Sequence, residues 1–301
     1  MDNQPLVSVV VASYNAEHTV LETLESVRNQ SYENIELILS DDCSKDNTIS
    51  IAQRWFEKNA HYFKGGAHLL TAEKNQGVCA NFNKAIRSSK GDWIKIIAAD
   101  DILLPNCCED YVNYILSNTN AQFITSYVDY YQNTFEDINC VRRKVAVDYI
   151  NIFEASTDVQ LKEMAYKIFV MAPTMFFSRS VFEEVGGFDE NYIYEDHPFY
   201  VNLLEHGHKL YFADCTTVGY RIHDSTVNSN IKLFNYKFSQ NSKKFRIDRC
   251  FKYYTRSQRL ATRVYYSLLD TIEMFGWNKK TKFTYLIFDT LIGIIWKIGR
   301  I

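Results

Sequence analysis

The first hundred residues alternate between apolar runs typical of buried strands and segments with helical spacing. Mainly apolar runs rich in Val, Ile and Leu occupy residues 6–12, 35–40 and 93–99, with a shorter run at 69–70. Helical spacing of apolar residues occurs over 20–27, 48–59 and 78–88. Strands that alternate with helices in this way predict a parallel sheet covered by helices, an α/β fold. Ligands of such sheets bind beyond the carboxyl ends of the strands, so the polar residues after each run are the candidates for chemistry.

The pattern is less regular from residue 101 to 228 and almost purely helical from 229 onward. It predicts helices over 106–118 and 198–205 and strands over 123–131, 173–178 and 210–213, whereas 135–165 has no clear period. No stretch rich in Pro or Gly separates these parts, so the boundaries follow changes in composition. We therefore divide the chain into residues 1–101 and 102–228, two parts of one domain, and a helical tail, 229–301.

Charge distinguishes the tail from the rest of the chain. The 301 residues are 47% apolar and carry a net charge of −3, which excludes a disordered chain. Residues 229–301 hold 15 Lys and Arg against 4 Asp and Glu, a net charge of +11, whereas residues 1–228 carry −14. This asymmetry indicates that the tail meets an anionic partner, either a membrane surface or nucleic acid.

The cysteines and the apolar segments predict a cytoplasmic protein. The seven cysteines form no C-x-x-C pair, and scattered thiols of this kind are typical of a reducing compartment. No signal peptide precedes the first predicted strand. The longest apolar stretch, 283–296, contains Asp289 and is too short to span a bilayer.

Two polar clusters follow the first two predicted strands. Ser13, Tyr14 and Asn15 come after the first, where the Tyr14 ring could stack on a base, or could lie half-buried at the entry to a helix that Asn15 caps. Asp41 and Asp42 come after the second strand. A carboxylate there could accept hydrogen bonds from a base or a ribose, as in dinucleotide folds, or could belong to a solvated turn.

Two carboxylate pairs follow later in the chain. Asp100 and Asp101 come directly after a buried strand, where adjacent carboxylates repel each other and a divalent cation would relieve the repulsion. Their hard oxygen atoms suit Mg²⁺ or Mn²⁺, although many Asp-Asp pairs are simply turns. Glu195 and Asp196 precede a predicted helix, and either could act as a general base.

Arg221 and His223 form the last candidate cluster. The guanidinium of Arg221 could pair with a phosphate. His223 could ligate a metal, but a lone histidine is more often structural. Neither assignment follows from these two residues alone.

The order of these clusters resembles that of family 2 glycosyltransferases. The segments that carry the resemblance are, in chain order, VSVVVASYN, SVRNQSYENIELILSDDCSKDNT, NQGVCANFNKAI, KGDWIKIIAADDILLP, GGFDE, YEDHPFYVNLLEHG and YRIHDSTVNS. They cover about residues 6–228 and leave the tail outside. The resemblance implies a GT-A fold, a UDP-sugar donor, a divalent metal (Mn²⁺ or Mg²⁺) and inversion at the anomeric carbon. Residues 1–101 would bind the nucleotide sugar and 102–228 the acceptor.

The resemblance also implies roles for individual residues at the donor and metal sites. Asp100 and Asp101 match the DxD-like region of the family, although Ala98 stands where its first carboxylate is common. With His223 they would hold the metal. The residues that would contact the nucleotide and its diphosphate are Tyr14, Asn15, Asp41, Asp42, Lys74, Asn75, Asp100 and Arg221.

The same resemblance implies a reaction. Asp196 would remove a proton from a sugar hydroxyl of the acceptor, and Glu195 would orient Asp196 or contact the acceptor. The hydroxyl would attack the anomeric carbon of the donor and receive a hexose or an N-acetylhexosamine. Bacterial relatives of this size often extend lipid-linked sugars in the assembly of O-antigen or capsule, so the acceptor is expected to be linked to undecaprenyl diphosphate.

The tail predicts where this reaction takes place. Residues 242–263 repeat Lys and Arg at three- and four-residue steps, which predicts a basic helical face, and 279–301 place Lys and Arg around an apolar middle with Trp296. Such a pattern suits an interfacial helix, so we expect 242–301 to hold the protein at the cytoplasmic face of the inner membrane. The alternative is a tail that packs on the acidic body. No nucleic-acid-binding motif accompanies the charge, so nucleic acid is not an expected partner.

Three other functions compete with this hypothesis. The acceptor could be a soluble glycan, a protein or a polymer. The chain could be a non-catalytic protein that binds sugar nucleotides or acts as a scaffold, although the intact Asp100-Asp101 and Glu195-Asp196 pairs speak against it. A nucleotidyltransferase could use a similar sheet, but no Gly-rich phosphate loop follows the first predicted strand.

Overall fold

A computed structural model describes residues 4–145, 150–222 and 232–299. The chain folds into two compact units, which we call the sheet unit and the helical unit. The sheet unit comprises Met1–Gln160 and Phe169–Arg221, and the helical unit comprises Leu161–Ile168 and Ile222–Ile301.

The described strands form one mixed sheet. They are β1 (Val7–Ser13), β2 (Ile35–Asp41), β3 (Ala67–Thr71), β4 (Trp93–Ala98), β5 (Ile102–Leu103), β6 (Phe123–Gln132), β7 (Cys140–Val145), β8 (Phe176–Ser178) and β9 (Tyr211–Ile222). Their order across the sheet is β3-β2-β1-β4-β8-β6-β9-β5, and β7 pairs with β6. The strands β1 to β4 are mutually parallel, whereas β8 joins β4 in the antiparallel direction. The predicted α/β fold is therefore confirmed.

Helices connect the strands. Those up to residue 205 are α1 (Val20–Arg28), α2 (Thr48–Asn59), α3 (Val78–Ser88), α4 (Cys107–Ser117), α5 (Thr157–Tyr166), α6 (Arg179–Glu184) and α7 (Asp196–Glu205). Strands β1, β2 and β4 are almost wholly buried, as their mainly apolar runs require when helices cover both faces of a sheet. Helix α3 packs across β1 and β2, and α1 packs against α2 and β5.

The later strands differ from their predictions. The predicted strand 173–178 is a strand only from Phe176, because Ala172–Thr174 form a 3₁₀ turn and Pro173 has no N–H to donate to a ladder. The buried ammonium of Lys95 donates to the carbonyl oxygen of Pro173 at 2.5 Å and holds this turn against β4. The predicted strand 210–213 continues to Ile222, and the aperiodic stretch 135–165 includes the second strand of the β6–β7 hairpin.

The helical unit contains three longer helices, which are α8 (Tyr236–Phe245), α9 (Arg256–Met274) and α10 (Lys282–Ile298). Capping boxes at Thr255 and Thr281 begin α9 and α10. The predicted continuous basic face over 242–263 is wrong, because a π turn (Arg246–Cys250) and a 3₁₀ turn separate α8 from α9. Arg246 points inward and donates to the carbonyl oxygen of Tyr166 at 2.8 Å.

Length and apolarity together decide whether a helix can cross a bilayer. Within the described ranges, each of the helices falls short on one or both of these counts.

Candidate active site

The carboxyl ends of β1, β2 and β4 lie level at one edge of the sheet. Ser13 of β1 is in register with Asp41 of β2, and Ala12 is in register with Ala98 of β4. The alignment continues one residue beyond the strands, where the N–H of Asp42 donates to the carbonyl oxygen of Ser13 at 2.9 Å. Three of the polar clusters predicted from the sequence are therefore neighbours at this edge.

Asp41 anchors the loop that follows β2. Its side chain is fully buried and accepts hydrogen bonds from the Ser13 hydroxyl at 2.9 Å and from the Ser44 backbone N–H at 2.8 Å. The Ser44 hydroxyl donates to the same carboxylate. These donors compensate the burial of Asp41, which therefore fixes the loop from within.

Asp42 anchors the loop that carries Lys74 and Asn75. Its two carboxylate oxygens accept hydrogen bonds from the backbone N–H groups of Gln76 and Gly77, each at 2.8 Å. Gly77 has a φ of 92°, which favours glycine, and α3 begins at the next residue. Lys74 and Asn75 are exposed beside this anchor. The predicted nucleotide contacts Asp42, Lys74 and Asn75 thus lie on two loops that the carboxylate of Asp42 joins.

Tyr14 and Asn15 differ in their surroundings: the Tyr14 side chain is exposed, whereas Asn15 is hydrogen-bonded within the protein. The side chain of Tyr14 is 50% exposed, so its ring can still meet a base. Asn15 has a φ of 51°; its N–H donates to the Ser44 hydroxyl and its side-chain oxygen accepts from the Lys45 N–H, both at 2.8 Å. The expectation that Asn15 caps α1 is wrong, because that helix begins only at Val20. Asn15 instead joins the loops that follow β1 and β2.

The Asp100-Asp101 pair follows β4, and its two members have different surroundings. Asp101 is buried; its carboxylate accepts the backbone N–H of Arg221 at 2.8 Å, and its carbonyl oxygen accepts the Thr23 hydroxyl at 2.7 Å. Burial, and then the charge of Asp100, raise the pKa of Asp101 well above its ordinary value. Asp100 is only half-buried. Proteins commonly bind Mg²⁺ through one or two carboxylates together with phosphate oxygens, so this pair fits the protein's share of such a site.

Any protein ligand for a metal beyond Asp100 and Asp101 would have to come from another segment of the chain. In the parts of the chain that the structure describes, no group of three or more His, Cys, Asp and Glu side chains is placed to hold an ion. His223, the third predicted metal ligand, lies outside the described residues. Of the three predicted metal ligands, Asp100 and Asp101 are the two that the structure describes.

Arg221 is buried beside this pair and makes a network of internal contacts. Its Nε donates to the carbonyl oxygen of Asp100 at 2.7 Å, and Nη1 donates to the carbonyl oxygen of Asn133 in the β6–β7 turn. Nη2 pairs with the Glu22 carboxylate of α1 at 2.6 Å, and the guanidinium lies 4.2 Å from the centre of the Phe135 ring. Arg221 thus fixes the backbone of the carboxylate pair, a role that differs from the phosphate contact expected from the sequence.

Glu195 and Asp196 lie at the amino-terminal end of α7. Both are half-buried, and Asp196 accepts the backbone N–H of His197 at 2.7 Å. Burial, and then the charge of Asp196, raise the pKa of Glu195 to about 7. Burial also raises the pKa of Asp196. One proton can therefore reside on this pair near neutral pH, which suits a group that accepts a proton in catalysis.

Helix α3 connects the acidic pair to the nucleotide side of the sheet. Asn83 of α3 donates to the carbonyl oxygen of Phe188 at 2.9 Å and to the Glu190 carboxylate at 2.8 Å, and accepts the Phe188 N–H at 2.9 Å. Gly187, with a φ of 82°, has no room for a Cβ, which would lie 2.8 Å from the Asn83 side chain. One turn earlier, the Cys79 thiol donates to the carbonyl oxygen of Tyr192. The turn that leads to Glu195 is thus held by α3. The loop that Asp42 anchors leads directly into the first residue of the same helix.

Comparison with known proteins identifies the family of this chain. Residues 8–186 match the family described as Glycosyl transferase family 2. The chain belongs to glycosyl transferase family 2. The putative glycosyltransferase EpsE of Bacillus subtilis is 33% identical over 41% of this chain and 43% of its own length. The putative teichuronic acid biosynthesis glycosyltransferase TuaG of the same organism is 31% identical over 41% of this chain and 47% of its own. The matches to these relatives thus span less than half of their length.

Solved structures of similar shape identify the GT-A fold. S. aureus TarS 1-349 in complex with UDP-GlcNAc superposes with a TM-score of 0.59 and 17% identity, over 79% of this chain and 64% of that one. The mannosyltransferase PcManGT from Pyrobaculum calidifontis, in complex with GDP-Man and Mn²⁺, gives a TM-score of 0.56 and 18% identity, over 74% and 59%. The family and the GT-A fold implied by the sequence motifs are both confirmed.

Proposed function

We propose that this family 2 glycosyltransferase is an inverting, metal-dependent hexosyltransferase that uses a UDP-sugar. The observation that carries the proposal is the placement of Asp100 and Asp101 level with the loops of Tyr14 and Asp42, at the carboxyl edge of the parallel strands. Open α/β sheets bind nucleotides at this edge. The TarS complex with UDP-GlcNAc, which has a similar fold, supports a UDP-sugar as the donor.

The donor would lie across the edge with its base against the exposed Tyr14 ring and its diphosphate near Asp100. Lys74 and Asn75 are exposed on the loop that Asp42 anchors and would line the nucleotide. A divalent ion, Mn²⁺ or Mg²⁺, would offset the charge that develops on the departing UDP. Asp100 is the better candidate for the metal ligand, because the buried Asp101 carboxylate already accepts the N–H of Arg221.

Asp196 would act as the general base. It would take the proton from the acceptor hydroxyl as that oxygen bonds to the anomeric carbon on the face opposite the diphosphate, and the bond to UDP would break. Glu195, whose pKa is raised to about 7, would hold a proton beside Asp196 and keep its carboxylate oriented. The product sugar would then have the inverted configuration.

The acceptor would be a lipid-linked saccharide in the synthesis of a surface polysaccharide, at the cytoplasmic face of the inner membrane. The name of the relative TuaG, which refers to teichuronic acid biosynthesis, supports a polysaccharide product. The net charge of +11 in residues 229–301 supports an anionic membrane as the place of reaction.

Replacing the proposed base tests the reaction. We expect Asp196→Asn to lower transfer by ~10²–10⁴-fold, the usual contribution of a general base, while UDP binding is unchanged. Transfer is measured with Mn²⁺ and each UDP-sugar in turn, on membranes that carry GlcNAc- or GalNAc-diphosphate-lipid. Asp214→Asn is the matched control, because Asp214 is an exposed carboxylate on β9. Full transfer by Asp196→Asn would contradict the assignment.

A further inference from the structure

Helix α10 exposes an apolar face that the helical unit leaves uncovered. Phe288 is buried in a cluster with the α9 side chains Tyr266 and Leu269, and Ile295 of α10 is buried as well. Another set of large apolar side chains on α10 is exposed and comprises Phe283, Leu286, Ile287, Leu291 and Ile294, with Phe283 at 71% and Leu286 at 65%. At 3.6 residues per turn, most of this set falls within an arc of about 100°, which adjoins the buried stripe of Phe288 and Ile295. A helix that is apolar on two sides needs a second apolar environment.

The turn between α9 and α10 extends this apolar surface with a rigid aromatic pair. The rings of Phe275 and Trp277 stack with their centres 4.9 Å apart, and Trp277 is 61% exposed. Asn278 fixes the turn, since its amide donates to the carbonyl oxygen of Phe234 at 3.0 Å and to the Glu273 carboxylate at 2.8 Å. The aromatic pair is therefore held in the exposed position by an ordered turn.

Cations border the same surface. Lys279, Lys280 and Lys282 follow the aromatic pair directly, and all three are exposed. None of the three has a carboxylate partner among the described residues. On the exposed side of α9, Arg256, Arg259 and Arg263 alternate with the exposed apolar side chains of Leu260 and Val264.

We propose that this surface, which we call the hairpin surface, docks on an anionic lipid bilayer, with Phe275, Trp277 and the exposed side of α10 in the acyl boundary and the three lysines at the headgroups. Apolar side chains beside exposed cations match the chemistry of an anionic interface, where Trp and Lys settle at the boundary between headgroups and acyl chains. A second copy of the chain fits less well, because the net charge of +11 in residues 229–301 would bring cations against cations. The inference gives a molecular surface to the proposed membrane location and rests on it.

Vesicle binding by the full chain tests the proposal. Neutralising Lys279, Lys280 and Lys282 to Gln is expected to lower partitioning into phosphatidylglycerol-containing vesicles by roughly 100-fold, since each lysine near an anionic surface contributes ~1 kcal/mol. The matched control replaces three exposed cations of the sheet unit, Arg54, Lys58 and Arg87, with Gln and should leave partitioning unchanged. Circular dichroism of each variant verifies that the fold is kept.

A second readout locates the docking surface directly. Lipids brominated near the headgroups should quench the fluorescence of Trp277, and Trp277→Phe should abolish that component. Absence of vesicle binding, an equal loss in the control variant, or a dimer that Leu286→Ser dissociates would each overturn the proposal. Hydrolysis of a UDP-sugar by the chain without vesicles reports on the proposed reaction independently, so a failure of either proposal can be distinguished.

Discussion

The substitution Glu195→Gln should stabilise the protein, and the gain should grow with pH. Burial, and then the charge of Asp196, raise the pKa of Glu195 from an ordinary value of 4.5 to about 7. Ionised Glu195 is therefore less favourable in the folded chain than in the unfolded chain. Gln has nearly the same shape and no charge, so it removes this penalty without leaving a cavity.

The magnitude follows from the linkage between pKa and stability. Below pH ~4.5 both states hold the proton, and the penalty is zero. As the pH rises from there to about 7, the unfolded state ionises first, so the free energy of unfolding of the wild type falls. Above pH 7 the full difference in proton affinity applies. At about 1.4 kcal/mol for each tenfold change in proton affinity, the penalty on the folded wild type amounts to at most about 3 kcal/mol.

Urea unfolding of the wild type and of Glu195→Gln from pH 4 to pH 8.5 measures this difference. The gain in unfolding free energy should be near zero at the acid end and approach about 3 kcal/mol at the alkaline end. Glu57→Gln, at an exposed position of α2, is the control and should give a difference that does not vary with pH. A gain independent of pH, or one that shrinks as the pH rises, would refute the reasoning.

Two further predictions concern the anchors of the sheet edge. Arg221→Lys should lower the free energy of unfolding by about 2 kcal/mol, because the planar fork that serves two carbonyl oxygens and Glu22 is lost; an unchanged urea midpoint would contradict this. Replacing Asp41 and replacing Asp42 with Asn should have different effects on stability and on UDP binding. Asp41→Asn should lower stability by about 1–3 kcal/mol, since a buried acceptor of three donors becomes partly a donor. Asp42→Asn should lower stability less, because that carboxylate accepts two backbone donors, the N–H groups of Gln76 and Gly77, and should weaken UDP binding, as calorimetry would measure; equal effects of the two variants would argue against separate roles.

Periodicity predicted the parallel half of the fold well because those strands are buried on both faces. The runs that became β1, β2 and β4 need no partner residue to be recognised, since each is a mainly apolar segment rich in Val, Ile or Leu. The antiparallel half was harder to predict. The strand β8 is only three residues long, and the turn before it is held by Lys95, a cation inside an apolar run. Nothing in the local pattern at 173–178 reports on that contact, which joins residues far apart in the chain.

The candidate site was predictable where polar residues follow strands, and unpredictable where a side chain acts through the backbone of another segment. Tyr14, Asp42 and Asp100 could be located because they come directly after buried runs. Asn83 was not recognised, because it lies within a helix and gives no sign that it holds the 188–190 turn. Glu22 resembled an ordinary exposed helical glutamate until the structure placed it against Arg221.

The two acidic pairs contain the same kinds of residue, and their surroundings give them different chemistry. The carboxylate of Asp101 accepts the backbone N–H of Arg221, and the guanidinium of Arg221 donates to the carbonyl oxygen of Asp100. The backbone of this pair is thus fixed by donors from β9 and, through Thr23, from α1. A pair held in a fixed position suits the recognition of a cation and its diphosphate. Among the hydrogen bonds described for the Glu195-Asp196 carboxylates is one from the N–H of His197, and this half-buried pair also lowers its charge by retaining a proton. A pair that exchanges a proton near neutral pH suits the activation of a hydroxyl. The different roles proposed for the two pairs thus follow from which backbone groups reach each pair.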